Sequence, residues 1–246
     1  MTMKTLTSIL IILLLASAGL FMFQSCSTNY YENDESILID KTDTFLASPD
    51  STTIKNSFET DNGLWHGYMF RMLTLSDVDY NSVYEADFPP ACEYLSNVYD
   101  REDEEKIFFG KIDSAFAKVK SVPPGKNHSS LYVPIATELK RLSESTAKRK
   151  TLIVYSDLME NSSLISFYKD ENFQLLKLNP DSVKKLFENE ITMPVLSGID
   201  AYLIYQPKDN KENELFKEVS GFYKKWLESK GARVNVEANL ILNNIN

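Results

Sequence analysis

Carboxylate and hydroxyl side chains follow two apolar runs of the sequence, at positions where a ligand could be held. Asp40, Thr42 and Thr44 lie at the end of one run and just after it, and Asp157 ends another. In an open α/β sheet, ligands bind beyond the carboxyl ends of the strands. Oxygen atoms are the ligands that a hard cation such as Mg²⁺ prefers, and hydroxyls alternating along a turn can point to one side. The pattern therefore predicts an oxygen-lined cation site.

The elements that must position these residues alternate between strand-like and helix-like patterns. Short apolar runs predict five strands, over residues 36–40, 68–75, 151–157, 198–206 and 232–236. Apolar residues at helical spacing predict helices between them, over residues 104–122, 135–142 and 213–230. Gly231 is well placed to end the last helix. Strands that alternate with helices indicate an α/β fold, with a doubly wound, mostly parallel sheet and helices on both faces.

Two stretches show neither pattern clearly. Residues 77–103, which include Pro89 and Pro90, and residues 158–197 are predicted as irregular elaborations at the edges of the sheet. The basic cluster of the chain, residues 148–150, lies just before a predicted strand. A formal net charge of −9 indicates an acidic surface. This argues against nucleic acid as a partner, because phosphate binding needs clustered Lys and Arg.

The order of the polar motifs resembles that of the von Willebrand factor type A domain. In that family Asp-x-Ser-x-Ser follows the first strand, a Thr comes from a central loop, and an Asp ends the fourth strand. Together these residues form a metal-ion-dependent adhesion site. Here threonine replaces both serines of the first motif, and the spacing leaves two adjacent serines open for the central hydroxyl. The ligands that the resemblance implies for Mg²⁺ or Mn²⁺ are therefore drawn from Asp40, Thr42, Thr44, Ser129, Ser130 and Asp157.

Such a site leaves one coordination position open for a carboxylate from another molecule. The resemblance therefore implies Mg²⁺-dependent binding of a protein partner that offers an acidic side chain, without catalysis. A rival interpretation is a non-catalytic scaffold or assembly protein of the same fold with a degenerate metal site. A simpler interpretation of the residues themselves is that Asp40 and Asp157 cap helices that follow strands.

Other kinds of site fit the sequence less well. Residues 77–81 begin like a calcium-binding EF-hand loop but lack its Gly and its final Glu, so a polar loop is the better interpretation. A phosphatase of the haloacid dehalogenase type needs a second Asp where Thr42 stands. No Gly-x-Ser-x-Gly motif or P-loop occurs, and His66 and His128 are far apart in the sequence. A hydrolase is therefore the third choice, and no enzymatic activity is predicted.

The start of the chain has the pattern of an export signal. Lys4 is followed by a largely apolar run that is short for a membrane-spanning helix, and residues 23–26 resemble the lipobox of bacterial lipoproteins. The prediction is a signal peptide over residues 1–25, lipidation at Cys26, a linker over 26–35 and one domain over 36–246. The chain is then anchored by lipid in the cell envelope, at the outer membrane. With Cys26 lipidated, Cys92 is left without a partner for an intrachain disulfide.

Overall fold

The computed structural model describes residues 30–42, 50–58, 63–75, 82–123 and 129–242. The described residues form one sheet with the strand order β3-β2-β1-β4-β5-β6. Its strands are β1 (Tyr31–Asp40), β2 (Gly67–Leu75), β3 (Ser82–Phe88), β4 (Arg149–Tyr155), β5 (Ile199–Ile204) and β6 (Arg233–Glu237). Every neighbouring pair is parallel except β2 and β3, which are antiparallel. The strand order reverses between β1 and β4, which is the switch point of a doubly wound sheet.

Helices cover both faces of this sheet. They are α1 (Ser51–Phe58), α2 (Val98–Ser121), α3 (Tyr132–Glu144), α4 (Asp170–Leu178), α5 (Pro180–Glu188) and α6 (Asn210–Ser229). Because successive side chains of a strand point to opposite faces, β1 contributes to two hydrophobic cores. Leu38 packs in the core shared with α3 and α6, whereas Ile37 and Ile39 pack in the core shared with α1 and α2. The predicted α/β fold with a mostly parallel sheet is confirmed.

Strand β1 begins earlier than the sequence predicts. It starts at Tyr31, inside the segment 26–35 that was predicted as a linker, and it buries Asn33, Asp34 and Glu35. A run of polar residues indicates exposure only when no partner is available to satisfy it inside the fold. The partners of these side chains come from α1, α3 and β4, so the sequence around β1 does not reveal them.

A buried ion-pair network joins β1 to α3. Arg141 of α3 donates to both carboxylate oxygens of Asp34, over 2.8 and 2.7 Å, and to one oxygen of Glu138 over 3.0 Å. Arg71 of β2 donates to the other oxygen of Glu138 over 2.8 Å, and Ser36 also hydrogen-bonds to Glu138. Asp34 and Glu138 are each 1% exposed. Polar residues of β1 are thus held inside the protein by a paired arginine.

Regular elements also occur in the two stretches that were predicted as irregular. Strand β3 lies in the first stretch, and helices α4 and α5 lie in the second. Helix α2 starts at Val98, before the predicted residue 104, because the Asn97 side chain accepts from the backbone N–H of Tyr99 and caps the helix. The prediction of irregular structure was therefore wrong for these segments, in which short elements carry too few residues for a clear period.

The last helix agrees well with its prediction. Helix α6 begins after Asp209, whose side chain accepts from the backbone N–H of Glu212, and ends at Ser229. Gly231 follows with a φ of +102°, a left-handed conformation that favours glycine after a helix. Trp226 of α6 is 2% exposed and packs in the core shared with α3. This aromatic helix face is core packing, as its spacing indicates.

Two findings bear on the predicted anchor. None of the helices within the described ranges is long and apolar enough to cross a membrane. The structure has Cys92 in a disulfide, so the expectation that Cys92 has no disulfide partner is wrong. The sequence contains one other cysteine, Cys26, which lies outside the described residues. The predicted signal peptide and lipidation site also fall outside them.

Candidate functional site

Asp40, the last residue of β1, forms the centre of a polar cluster at the switch point of the sheet. Its side chain is on the face of the sheet that α3 covers, and the residue is 1% exposed. Oxygen Oδ1 accepts from the backbone N–H of Thr42 over 2.8 Å and from the hydroxyl of Thr42 over 2.6 Å. The turn after β1 thereby brings one predicted hydroxyl onto the predicted carboxylate.

Two serines from distant segments complete this cluster. Oxygen Oδ2 of Asp40 accepts from the Ser129 hydroxyl over 3.1 Å and from the Ser156 hydroxyl over 2.9 Å. Ser129 is 5% exposed and Ser156 is fully buried. We call Asp40, Thr42, Ser129 and Ser156 the Asp40 cluster. It gathers one carboxylate and three hydroxyls from the ends of β1 and β4 and from the segment before α3.

Backbone pairing holds the two serines in position. Ser129 and Asn161 exchange backbone hydrogen bonds of 3.1 and 2.8 Å, which fixes the segment before α3 against the loop after β4. Ser156 continues the line of β4, and its backbone N–H donates to the carbonyl of Ile204 in β5. The Ser156 hydroxyl also accepts from the backbone N–H of Leu158. Both hydroxyls therefore come from rigidly tied backbone.

Burial dominates the electrostatics of the cluster. Removal from water raises the pKa of Asp40, although the hydrogen bonds from Thr42, Ser156 and Ser129 act in the opposite direction. A second buried carboxylate, Glu160, lies close enough to be affected by Asp40. The pKa of Glu160 is also raised, first by burial and to a smaller extent by the charge of Asp40. The site thus holds two buried carboxyl groups, and burial disfavours the charged form of both.

Glu160 has one oxygen that is used and one that is not. Oxygen Oε2 accepts from the backbone N–H groups of Leu131 and Tyr132, each over 2.9 Å, so it caps the start of α3. Oxygen Oε1 is buried and forms no hydrogen bond of ordinary geometry, although the Ser162 hydroxyl lies close enough to lower the pKa of Glu160. A buried carboxylate oxygen without a partner is costly, and it marks a position where a cation or a donor would be favourable.

Asp157, the second predicted carboxylate, has its described contacts outside the Asp40 cluster. Its Oδ1 accepts from the backbone N–H of Met159 over 2.9 Å, and its Oδ2 accepts from the hydroxyl of Tyr168 over 3.3 Å. The residue that follows, Leu158, is buried and has a φ of +61°, a strained conformation for a leucine. Asp157 also lines a cavity of about 110 Å³ together with Tyr205.

The other residues considered in the sequence analysis lie in several different places. Of the two adjacent serines, Ser129 donates to Asp40, whereas Ser130 is half-buried beside it. Thr44 lies outside the described residues, as do His128 and the EF-hand-like residues 77–81. His66 stacks on Tyr30 with ring centroids 4.5 Å apart, which is a packing contact.

Ser156 could have been predicted as a site residue from the sequence pattern, but Glu160 could not. Leu152 and Val154 share a core with Leu38, so strand alternation continues to Ser156 on the same face as Asp40. Because side chains alternate along β4, Ser156 and not Asp157 is expected on the same face as Asp40. Glu160 lies in a loop without any period, and its partners at the start of α3 are about 30 residues earlier in the chain.

The donor set decides which ions the cluster could hold. A carboxylate and several hydroxyls suit a hard, oxygen-preferring cation such as Mg²⁺ better than a soft metal. Within the described part of the chain, no group of three or more His, Cys, Asp or Glu side chains is arranged to hold a metal. Any ion at the Asp40 cluster would therefore depend on hydroxyl ligands.

The fold and this cluster define a class: a doubly wound α/β domain with a carboxylate and hydroxyl site at its switch point. Comparison with known proteins adds no family to this description. No protein-family model matches the chain, and no curated protein matches it.

Proposed function

We propose that this chain is a lipid-anchored protein of the cell envelope that binds a protein partner through a Mg²⁺-dependent site, without catalysis. One observation carries the proposal. Three segments far apart in the sequence bring the hydroxyls of Thr42, Ser129 and Ser156 onto the carboxylate of Asp40, at the switch point of the sheet. In doubly wound folds, ligands bind at this switch point, beyond the carboxyl ends of the strands.

The residues present fit Mg²⁺ by their chemistry. Asp40, Thr42 and Ser129, three of the residues implied by the resemblance to the von Willebrand type A domain, would hold the ion, and Ser156 supplies a further hydroxyl. Mg²⁺ keeps several waters and needs few direct protein ligands. The buried Glu160 carboxyl lies near enough for the charge of Asp40 to raise its pKa, and a cation bound here would favour its ionised form. An ion bound in this way could accept an acidic side chain of a partner.

Calorimetric titration of the domain with Mg²⁺ tests the metal site. We expect saturable heat with Mg²⁺ or Mn²⁺ at millimolar concentration or below, and a higher melting temperature, because a ligand of the native state stabilises it. Ser129→Ala should weaken binding, since it removes one hydroxyl. It should cost less stability than changing Asp40, whose loss would leave four donors without an acceptor.

A matched control tests whether Mg²⁺ binds at the Asp40 cluster or at acidic side chains elsewhere on the surface. Asp113→Asn removes a half-exposed carboxylate on α2, where it pairs with Lys55, and should leave the titration unchanged. Asp157→Asn is informative as well, because retained binding would exclude this residue from the ligand set. No heat with either ion in the wild-type domain would refute the proposed metal site.

A second candidate function is favoured by the same hydrogen bonds. Four donors already satisfy both oxygens of Asp40 without any ion. The cluster could therefore be a structural device that ties β1, β4 and the start of α3 together. The chain would then be a scaffold or assembly protein with a degenerate site, and its partner binding would not respond to a chelator.

The anchor has its own test. We expect Cys26→Ser to abolish incorporation of radiolabelled palmitate, because the lipobox resemblance places the acyl groups on that residue. A thioether-linked lipid and a disulfide cannot share one sulfur, so lipidation of Cys26 excludes a disulfide between Cys26 and Cys92. The mass of the protein under non-reducing conditions distinguishes the two forms. Palmitate incorporation that persists in Cys26→Ser would contradict lipidation at this residue.

A further inference from the structure

A polar cavity lies near the amino ends of β4 and β5, at the opposite end of the sheet from the Asp40 cluster. Its volume is about 160 Å³. A cavity of this size accommodates a molecule as large as benzene. The wall contains Glu35 of β1, Ser57 of α1, Lys148, Arg149, Thr151 and Tyr202. Glu35 is on the sheet face that α1 covers, so this cavity is separate from the Asp40 cluster on the α3 face.

Glu35 is a buried carboxyl with an incomplete set of partners. The residue is 2% exposed, and its Oε1 has no hydrogen-bond partner. Burial raises the pKa of Glu35 to about 7, against the opposing effects of Ser57 and Arg149. At neutral pH this side chain is therefore present in both its protonated and its ionised form.

The hydroxyl of Ser57 explains how the protonated form is held. Its oxygen is 2.7 Å from Oε2 of Glu35 and 2.6 Å from the carbonyl oxygen of Ile54. One hydroxyl has one proton to donate. When Ser57 donates to Ile54, a protonated Glu35 can donate to Ser57 through Oε2. The free Oε1 then remains as an acceptor that lacks a donor.

The entrance of the cavity is lined by basic side chains, opposite in charge to an ionised Glu35. Lys148 and Arg149, from the basic cluster seen in the sequence, lie on its wall. The carboxylate of Glu32 is 3.8 Å from each of them. Arg233 also lines the cavity, but it is paired with Asp200. When Glu35 is protonated, Lys148 and Arg149 together carry one more positive charge than Glu32 neutralises, which favours an anionic group there.

We propose that this cavity binds a small molecule that carries a carboxylate and, a few bonds away, a hydrogen-bond donor. The donor, an ammonium or a hydroxyl, meets Oε1 of Glu35, and the carboxylate meets Lys148 and Arg149. Amino acids and hydroxy acids share this chemistry. The assignment is independent of the metal site, because it uses other residues, at the opposite end of the strands.

Three small probes test the assignment on the wild-type protein. Glycine carries an ammonium, glycolate carries a hydroxyl, and acetate lacks a donor but has the same carboxylate. Calorimetric titration should give a Kd for glycine or glycolate at least about tenfold lower than for acetate, because one hydrogen bond to a buried acceptor has about this effect. The tighter of the two identifies the donor. Equal affinities for all three probes, or no binding by any of them, would overturn the proposal.

Variants locate the binding within the cavity. Glu35→Leu should abolish the preference over acetate, whereas Glu214→Leu, on the exposed side of α6, should preserve it. Lys148→Gln should weaken all probes that bind, since each has the carboxylate. A preference that survives in a folded Glu35→Leu protein would place the donor elsewhere and refute the role of Glu35. The comparison of probes on the wild type remains decisive even if that variant does not fold.

Discussion

Replacing Arg141 with methionine is expected to lower the free energy of unfolding by about 3–5 kcal/mol, the usual effect of removing one partner from a buried ion pair. Arg141 is the bidentate partner of Asp34, which is 1% exposed. Methionine retains much of the side-chain volume but leaves the Asp34 carboxylate buried and unpaired. Urea denaturation at neutral pH, compared with wild type, measures the loss.

A matched control separates this loss from the removal of just any cation. Lys106→Met is the matched control, because it breaks an ion pair with Asp103 in which both side chains are more than 70% exposed. That variant should be indistinguishable from wild type. Equal stability of Arg141→Met and wild type would mean that the network does not hold β1.

Replacing Trp226 with alanine should also be severe. Trp226 is 2% exposed and stacks on Tyr132, with ring centroids 5.5 Å apart and planes within 5° of parallel. It also packs against Phe187 and Phe222, so it joins α6 to α3 and α5. Deleting a buried aromatic side chain costs about 3–5 kcal/mol. Thermal denaturation followed by circular dichroism measures the effect.

Two further variants sharpen this test. Trp226→Phe keeps an aromatic ring in the stack and should lose clearly less stability than Trp226→Ala. Tyr99→Ala removes an aromatic side chain from a residue that is 76% exposed on α2, and it should change stability by no more than about 0.5 kcal/mol. If Trp226→Ala melts at the wild-type temperature, the packing of α6 described above is incorrect.

The class of the fold could be predicted because it depends on local periodicity. Four of the six strands overlap their predicted segments closely, and the long helix α6 lies within a few residues of its prediction. Burial on both faces makes residues 152–155 of β4 and 201–204 of β5 continuously apolar, which the sequence displays directly. The short helices α4 and α5 were missed because about two turns of helix give too weak a pattern.

The candidate site could be predicted only in part. Asp40 and Thr42 are neighbours in sequence, so the turn that joins them is a local property. Ser129 was one of two adjacent candidates, and its hydrogen bond to Asp40 spans 89 residues. A choice between such neighbours depends on which one the fold turns toward β1.

The sequence by itself determined the alternation of strands and helices, the polar end of β1 and the apolar face of α6, because these follow from the spacing of residues close together in the chain. Only the tertiary structure decided that Ser156 meets Asp40, that Glu160 caps α3 and that Asp34 is buried. The reason is physical: a polar group can be buried only where a partner satisfies it. For Asp34 that partner is Arg141, 107 residues away.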